Sequence, residues 1–170
     1  MPSIHVSSLS RLHETVALTG ASHVVTLINA KTPVERPPSI PEDRHLFIGV
    51  SDIVTPMEGH ILPGEEHVVR LNQFVDRWDR QRPIVIHCWA GISRSTAAAF
   101  ITACRLRPDQ DEHAIAQRLR AAAPSATPNL RLVSTADALL GRSGRMIRAI
   151  EAIGRGADAY EGTPFMLPLD

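Results

Sequence analysis

The sequence lacks net charge: eighteen Lys and Arg balance eighteen Asp and Glu, for a pI near 7.1. Without a global field there is no general pull toward nucleic acid or an acidic membrane, and neither is expected as a partner. Cysteine is scarce as well, and two in 170 residues do not make a disulfide framework. No apolar run is long enough to span a bilayer. The opening Met1-Pro2-Ser3-Ile4-His5 has neither the charged start nor the apolar core of a signal peptide. The cytoplasm is the expected location. There is no internal repeat and no low-complexity tract. Eight histidines invite a metal, yet no His-Glu-x-x-His occurs, and neither Glu65-Glu66-His67 nor His13-Glu14 has a second ligand at helical spacing. No metal or other cofactor is expected.

What remains is ordinary globular material, 44% hydrophobic and 21% charged. Its size suits one domain over 1–170, with the stretch from about 155 expected to be loose. Ile4-His5-Val6 reads as a short strand, and Ser10 can cap a helix over Arg11–Leu18 that Gly20 stops. His23–Asn29 is apolar and β-branched, as a buried strand should be. Four prolines make Thr32–Asp43 a loop. His45–Val50 returns to strand character, and Thr55–Gly64 reads as another loop. Apolar residues from Val68 to Trp78 recur at helical spacing within Glu65–Arg80. Pro83–His87 is a compact strand, and Thr96–Cys104, apolar on nearly every side, predicts a central buried helix. Asp109 or Asp111 starts a further helix, and Pro128 opens a last helical region that Gly141 and Gly144 interrupt before Ile153. Strands alternating with helices imply an α/β domain with a mostly parallel central sheet flanked by helices.

One segment carries chemistry. His87-Cys88-Trp89-Ala90-Gly91-Ile92-Ser93-Arg94-Ser95 joins the compact strand to the buried helix. That places Cys88 at the carboxyl end of the sheet, where open α/β sheets bind ligands. Loop amides and the positive end of the helix make a cradle for a dianion, and Gly91 suits a loop needing an unusual φ or close approach. Helix N-termini and cations favour the thiolate, which is the nucleophilic form of cysteine. Arg94 can return over the cradle and grip two phosphate oxygens with its planar fork, which a lysine cannot do. Ser95 can hydrogen-bond the sulfur and help it leave.

His87-Cys88-x5-Arg94-Ser95 resembles the signature loop of the cysteine-dependent protein tyrosine phosphatase superfamily. The Ala-Gly-Ile-Ser-Arg-Ser wording and small size are most similar to its compact dual-specificity-like branch, short bacterial members included. The resemblance covers roughly Leu46 to Leu140. It implies a metal-free cysteinyl-phosphate intermediate at Cys88, phosphate bound by the backbone of Trp89, Ala90, Gly91, Ile92, Ser93 and Arg94, and His87 shaping the electrostatics of Cys88. It also implies an aspartate on a loop upstream, just after a strand, that protonates the leaving oxygen. Asp52 fits, although it stands farther from Cys88 than compact members place it; its other reading is a turn or cap residue. Asp43 and Glu58 are alternatives, while Asp76 and Asp79 belong to a solvated helix face. Asn129, in Pro128-Asn129-Leu130, either braces the signature loop as in dual-specificity phosphatases or simply caps a helix.

Other features have blander readings. Cys104 is a buried apolar cysteine rather than a resolving thiol. Arg142, Arg145 and Arg148 suggest a solvated helix face. Trp89 either walls the substrate pocket or packs on the Pro-rich segment. The expected substrate is a phosphorylated protein, phosphotyrosine foremost, or a small phosphoester. A lipid or RNA phosphatase, a sulfurtransferase and a phosphate-binding module without turnover are the competing readings.

Overall fold

A computed structural model describes residues 2–170. Its centre is a five-stranded sheet in the order β3-β2-β4-β1-β5, built from β1 (Ser3–Ser7), β2 (His23–Ile28), β3 (His45–Gly49), β4 (Ile84–His87) and β5 (Phe165–Pro168). The first four are mutually parallel, and β5 runs antiparallel to β1. β2 and β4 are buried at every position, which is why they read as continuous β-branched runs.

On one face lie α2 (Glu65–Arg77), α3 (Arg94–Leu106), α4 (Glu112–Ala122), α5 (Leu130–Leu139) and α6 (Arg145–Ile153). They cover the main core, which takes Ile4, Val25, Ile84 and Ile86 from the strands. Each such fully buried aliphatic side chain contributes about 1.5–3 kcal/mol. α3 is the middle of this layer, buried from Arg94 through Cys104. The other face is thinner. There α1 (Leu12–Thr19) and the Pro-rich loop close a small cluster of Leu12, Val16, Ala21, Val24, Ile40 and Val85.

Local chemistry explains most boundaries. Gly20, at φ +69°, ends α1 in the left-handed region that glycine tolerates. Asp111 caps α4 by accepting from the Ala114 amide at 3.2 Å. The buried Asp137 carboxylate accepts from the amides of Gly144 and Met146 at 2.7 and 2.8 Å and so begins α6.

Three expectations are corrected here. Ser10 does not cap α1: its hydroxyl donates to Glu161, and Arg11 stands at the cap position without a side-chain bond to the helix's first amides. The stretch from about 155 is not loose. Gly156 N–H donates to Thr127 Oγ1 at 3.0 Å, Ala157 N–H to the Pro124 carbonyl at 2.9 Å and Gly162 N–H to the Ala90 carbonyl at 2.8 Å, before the chain enters β5. Arg142 is no part of a solvated face. It is buried, donating to Glu112 Oε1 at 2.9 Å and to the Cys104 carbonyl at 2.7 Å, so that the buried carboxylate meets a paired charge.

Candidate active site

β4 delivers His87 and Cys88 to the carboxyl edge of the sheet, and the chain then turns through Trp89–Ser93 into α3. The turn closes on β1. Gly91 sits at φ +72°, and a Cβ there would lie 2.9 Å from the carbonyl carbon of Ser7. Both constraints demand glycine. The loop is tied on all sides by backbone bonds: Leu9 N–H to the Trp89 carbonyl at 3.0 Å, Gly162 N–H to Ala90 at 2.8 Å, Thr127 N–H to Ile92 at 2.9 Å and Asn129 N–H to Ser93 at 3.2 Å.

Inside the turn, the Cys88 sulfur lies 3.0 Å from Ser95 Oγ and accepts from the Gly91 amide at 3.3 Å. The thiol is buried at the head of the 13-residue α3, where the helix's positive end favours an anion. Arg94 is buried as well. Its Nη1 donates to Asn29 Oδ1 at 2.7 Å and to the Val50 carbonyl at 3.0 Å, while its buried Nε has no protein partner. A buried donor without an acceptor costs about 1–3 kcal/mol.

Asp52 reaches the loop from the segment after β3. Ser93 Oγ donates to its Oδ1 at 2.7 Å, and Asn129 Nδ2 donates to the same oxygen at 2.9 Å. Asn129 Oδ1 meanwhile accepts from the Leu132 amide at 3.0 Å and caps α5. The rival acids lie elsewhere. Asp43 shares a depression with His23 and Arg44, Glu58 lies on an exposed turn, and Asp76 pairs with Arg105 at 2.7 Å.

Behind the loop His87 is fully buried, with Nδ1 3.1 Å from the Cys88 carbonyl and Nε2 2.7 Å from Thr26 Oγ1. Burial pulls its imidazole down to about 4. In front of it Trp89 is 56% exposed. With Leu9, Ser10, Ala90, Tyr160 and Glu161 it borders a depression of about 280 Å³. A wider one, of about 590 Å³, opens on the other flank of the loop beside Asp52, Ser93 and Tyr160. Cys104 is buried in α3 and its thiol is pushed up to about 12 by burial, so it has no reactive character at neutral pH.

Asn29, Thr26 and the stretch 156–162 were not foreseen. Asn29 had a usable signal as a polar residue closing the carboxyl end of a buried strand. Thr26 lay inside an apolar run, where a threonine reads as β-former.

Residues 58–127 match the family model described as protein-tyrosine phosphatase. No curated protein matches in sequence. Solved structures share the fold. The Cydia pomonella PTP-2 phosphatase superposes with a TM-score of 0.62 at 20% identity, over 79% of this chain and 84% of its own. A mouse putative dual specificity phosphatase gives 0.62 at 17%, over 86% of each chain. Human DUSP28 gives 0.60 at 17%, over 88% and 92%. The matched segment 58–127 contains the loop from His87 to Ser95, so that part of this chain is similar to the protein-tyrosine phosphatase family. Over most of its length the chain shares the fold of the dual specificity phosphatase structures.

Proposed function

We propose that the chain hydrolyses phosphomonoesters, phosphotyrosine in proteins foremost, in two displacement steps at Cys88. The observation that carries this is the convergence of the Gly91 amide and the Ser95 hydroxyl on the Cys88 sulfur, beside an Arg94 that keeps a buried free donor. In the first step the sulfur bonds to phosphorus as the phosphorus–oxygen ester bond breaks. Asp52 gives the leaving oxygen its proton. Both of its donors engage Oδ1, which leaves Oδ2 to carry that proton. In the second step water attacks phosphorus, Asp52 takes a proton from it, and the sulfur leaves with the Ser95 hydroxyl donating to it. The amides of Trp89–Arg94 and the Arg94 fork hold the equatorial oxygens, where negative charge spreads.

Aromatic phosphoesters are favoured because Trp89 and the 91% exposed Tyr160 stand beside the loop as apolar surface for a substrate ring. The test is hydrolysis of a phenyl-phosphate chromogen with EDTA present. Turnover should vanish in Cys88→Ser. In Asp52→Asn it should fall by roughly 10²–10⁴ on a poor leaving group. A well-folded wild type that hydrolyses neither the chromogen nor a phosphotyrosine peptide between about pH 5 and 8, the span where such acid–base pairs work, would leave only phosphate binding.

A further inference from the structure

His45 on β3, Thr26 on β2 and His87 on β4 share the α1 side of three parallel strands, with Thr26 in register with His87 and His45, paired with Val24, set two residues off as a diagonal neighbour. Thr26 Oγ1 is 2.8 Å from His45 Nε2 and 2.7 Å from His87 Nε2. His87 Nδ1 faces the Cys88 carbonyl at 3.1 Å. The direction of every proton in this row follows from one fact: a carbonyl oxygen can only accept. His87 must therefore present N–H at Nδ1. A second proton on the same ring is disfavoured by its complete burial and by the other basic rings near it, His45 and His13. So Nε2 is an acceptor, and the Thr26 hydroxyl must donate to it. That hydroxyl has one proton, so its oxygen can only accept from His45, which holds its proton on Nε2.

We propose that Thr26 and His45 are positioning residues that fix His87 as its Nδ1–H tautomer and aim that proton at the Cys88 carbonyl. The proposal deepens the phosphatase reading and rests on it for its purpose. The Cys88 carbonyl and the Trp89 amide N–H belong to one peptide group. A donor on the oxygen draws electron density across that group and makes the N–H a stronger donor to an anion in the loop. The row thus carries polarity from β3 into the cradle without touching substrate. The nearest charged group to this network is Arg36, beside His45, while the side chains of Arg94 and Asp52 bond to other partners.

The test uses the full chain, with ¹⁵N-labelled histidine and with alkylation of Cys88 by iodoacetamide. The wild-type spectrum should show the proton of His87 on Nδ1 and that of His45 on Nε2. In Thr26→Val, a change of matching shape, the His87 proton should spread over both ring nitrogens. Cys88 alkylation should slow roughly tenfold, because a weaker amide donor in the loop stabilises the reacting sulfur less. Thr26→Ser restores both readouts. His45→Gln, which keeps an N–H donor, should behave as wild type, and His45→Phe should behave as Thr26→Val. If Thr26→Val does not fold, the wild-type spectrum and His45→Phe decide. A wild-type His87 carrying its proton on Nε2, or a folded Thr26→Val or His45→Phe with unaltered alkylation, overturns the proposal. Neither readout needs turnover, so a protein that passes both and hydrolyses nothing would fail as a phosphatase while keeping this row intact.

Discussion

Asn129 donates to Asp52 Oδ1 at 2.9 Å with one end of its amide while the other end accepts the Leu132 amide at 3.0 Å. One side chain thus starts α5 and holds the proposed general acid against the signature loop. The two duties separate by substitution. Asn129→Ala should cost about 1 kcal/mol of stability through the lost cap, and it should slow hydrolysis of an alkyl phosphate more than that of an aryl one. Asn129→Asp keeps the capping oxygen but sets a carboxylate against Asp52. It should melt near wild type and still lose alkyl-phosphate turnover. Wild-type rates in Asn129→Asp would dismiss the link between Asn129 and the acid.

Acid should weaken the fold in a defined window. His87 is held at about 4 by burial, while an unfolded histidine titrates near ~6.5. Between those values the unfolded chain binds a proton that the folded one refuses, so stability rises with pH across the window and is lost as pH falls through it. The full effect is roughly 3 kcal/mol. His45, His5, His23 and His67 are also lowered by burial and act with the same sign. Urea midpoints from about pH 7 down to 4 measure it. His87→Gln should flatten the slope, and a flat wild-type curve would refute the assignment.

The two thiols should differ sharply in reactivity. With Cys104 buried and pushed up to about 12, native protein at neutral pH should take up iodoacetamide at Cys88 alone. Peptide mass spectrometry reads this directly. Cys104→Ala should leave the turnover number unaltered, and modification at both positions without unfolding would contradict the burial argument.

A methyl group at Gly162 should reach the site. A Cβ there would meet the Gly91 carbonyl oxygen at 2.8 Å. Gly162→Ala must therefore shift the loop or the segment that braces it, at a cost of about 1–3 kcal/mol. Turnover efficiency should fall even though residue 162 touches no reacting atom. Unchanged efficiency together with unchanged melting would show that the contact relaxes freely.

The parts of this molecule that were legible in the sequence are the ones whose reasons are local. β4, the turn through Gly91 and the apolar α3 announce themselves by residue type over a short stretch, and so the cysteine, the arginine and the serine could be named together. Asn129 was legible only as a choice between brace and cap, because an amide has two ends and the sequence does not say that both find partners. Thr26 and His45 were hidden because their roles depend on strand register. β5 was missed for a related reason: Phe165-Met166-Leu167 is short, bounded by Pro164 and Pro168, and pairs with β1 across nearly the whole sequence. Ser10 misled because Glu161, equally remote, claims its hydroxyl.

That long-range seam bears on how the protein comes into being. β1 leaves the ribosome early, and the segment 156–168 that bonds to Ala90, claims the hydroxyls of Ser8 and Ser10 and zips onto β1 follows much later. A nascent chain therefore carries Cys88 and Arg94 well before it carries the strap that seats the loop around them. Until those late residues emerge, the Cys88 sulfur sits in an unbraced turn, and the finished loop geometry waits on vectorial synthesis.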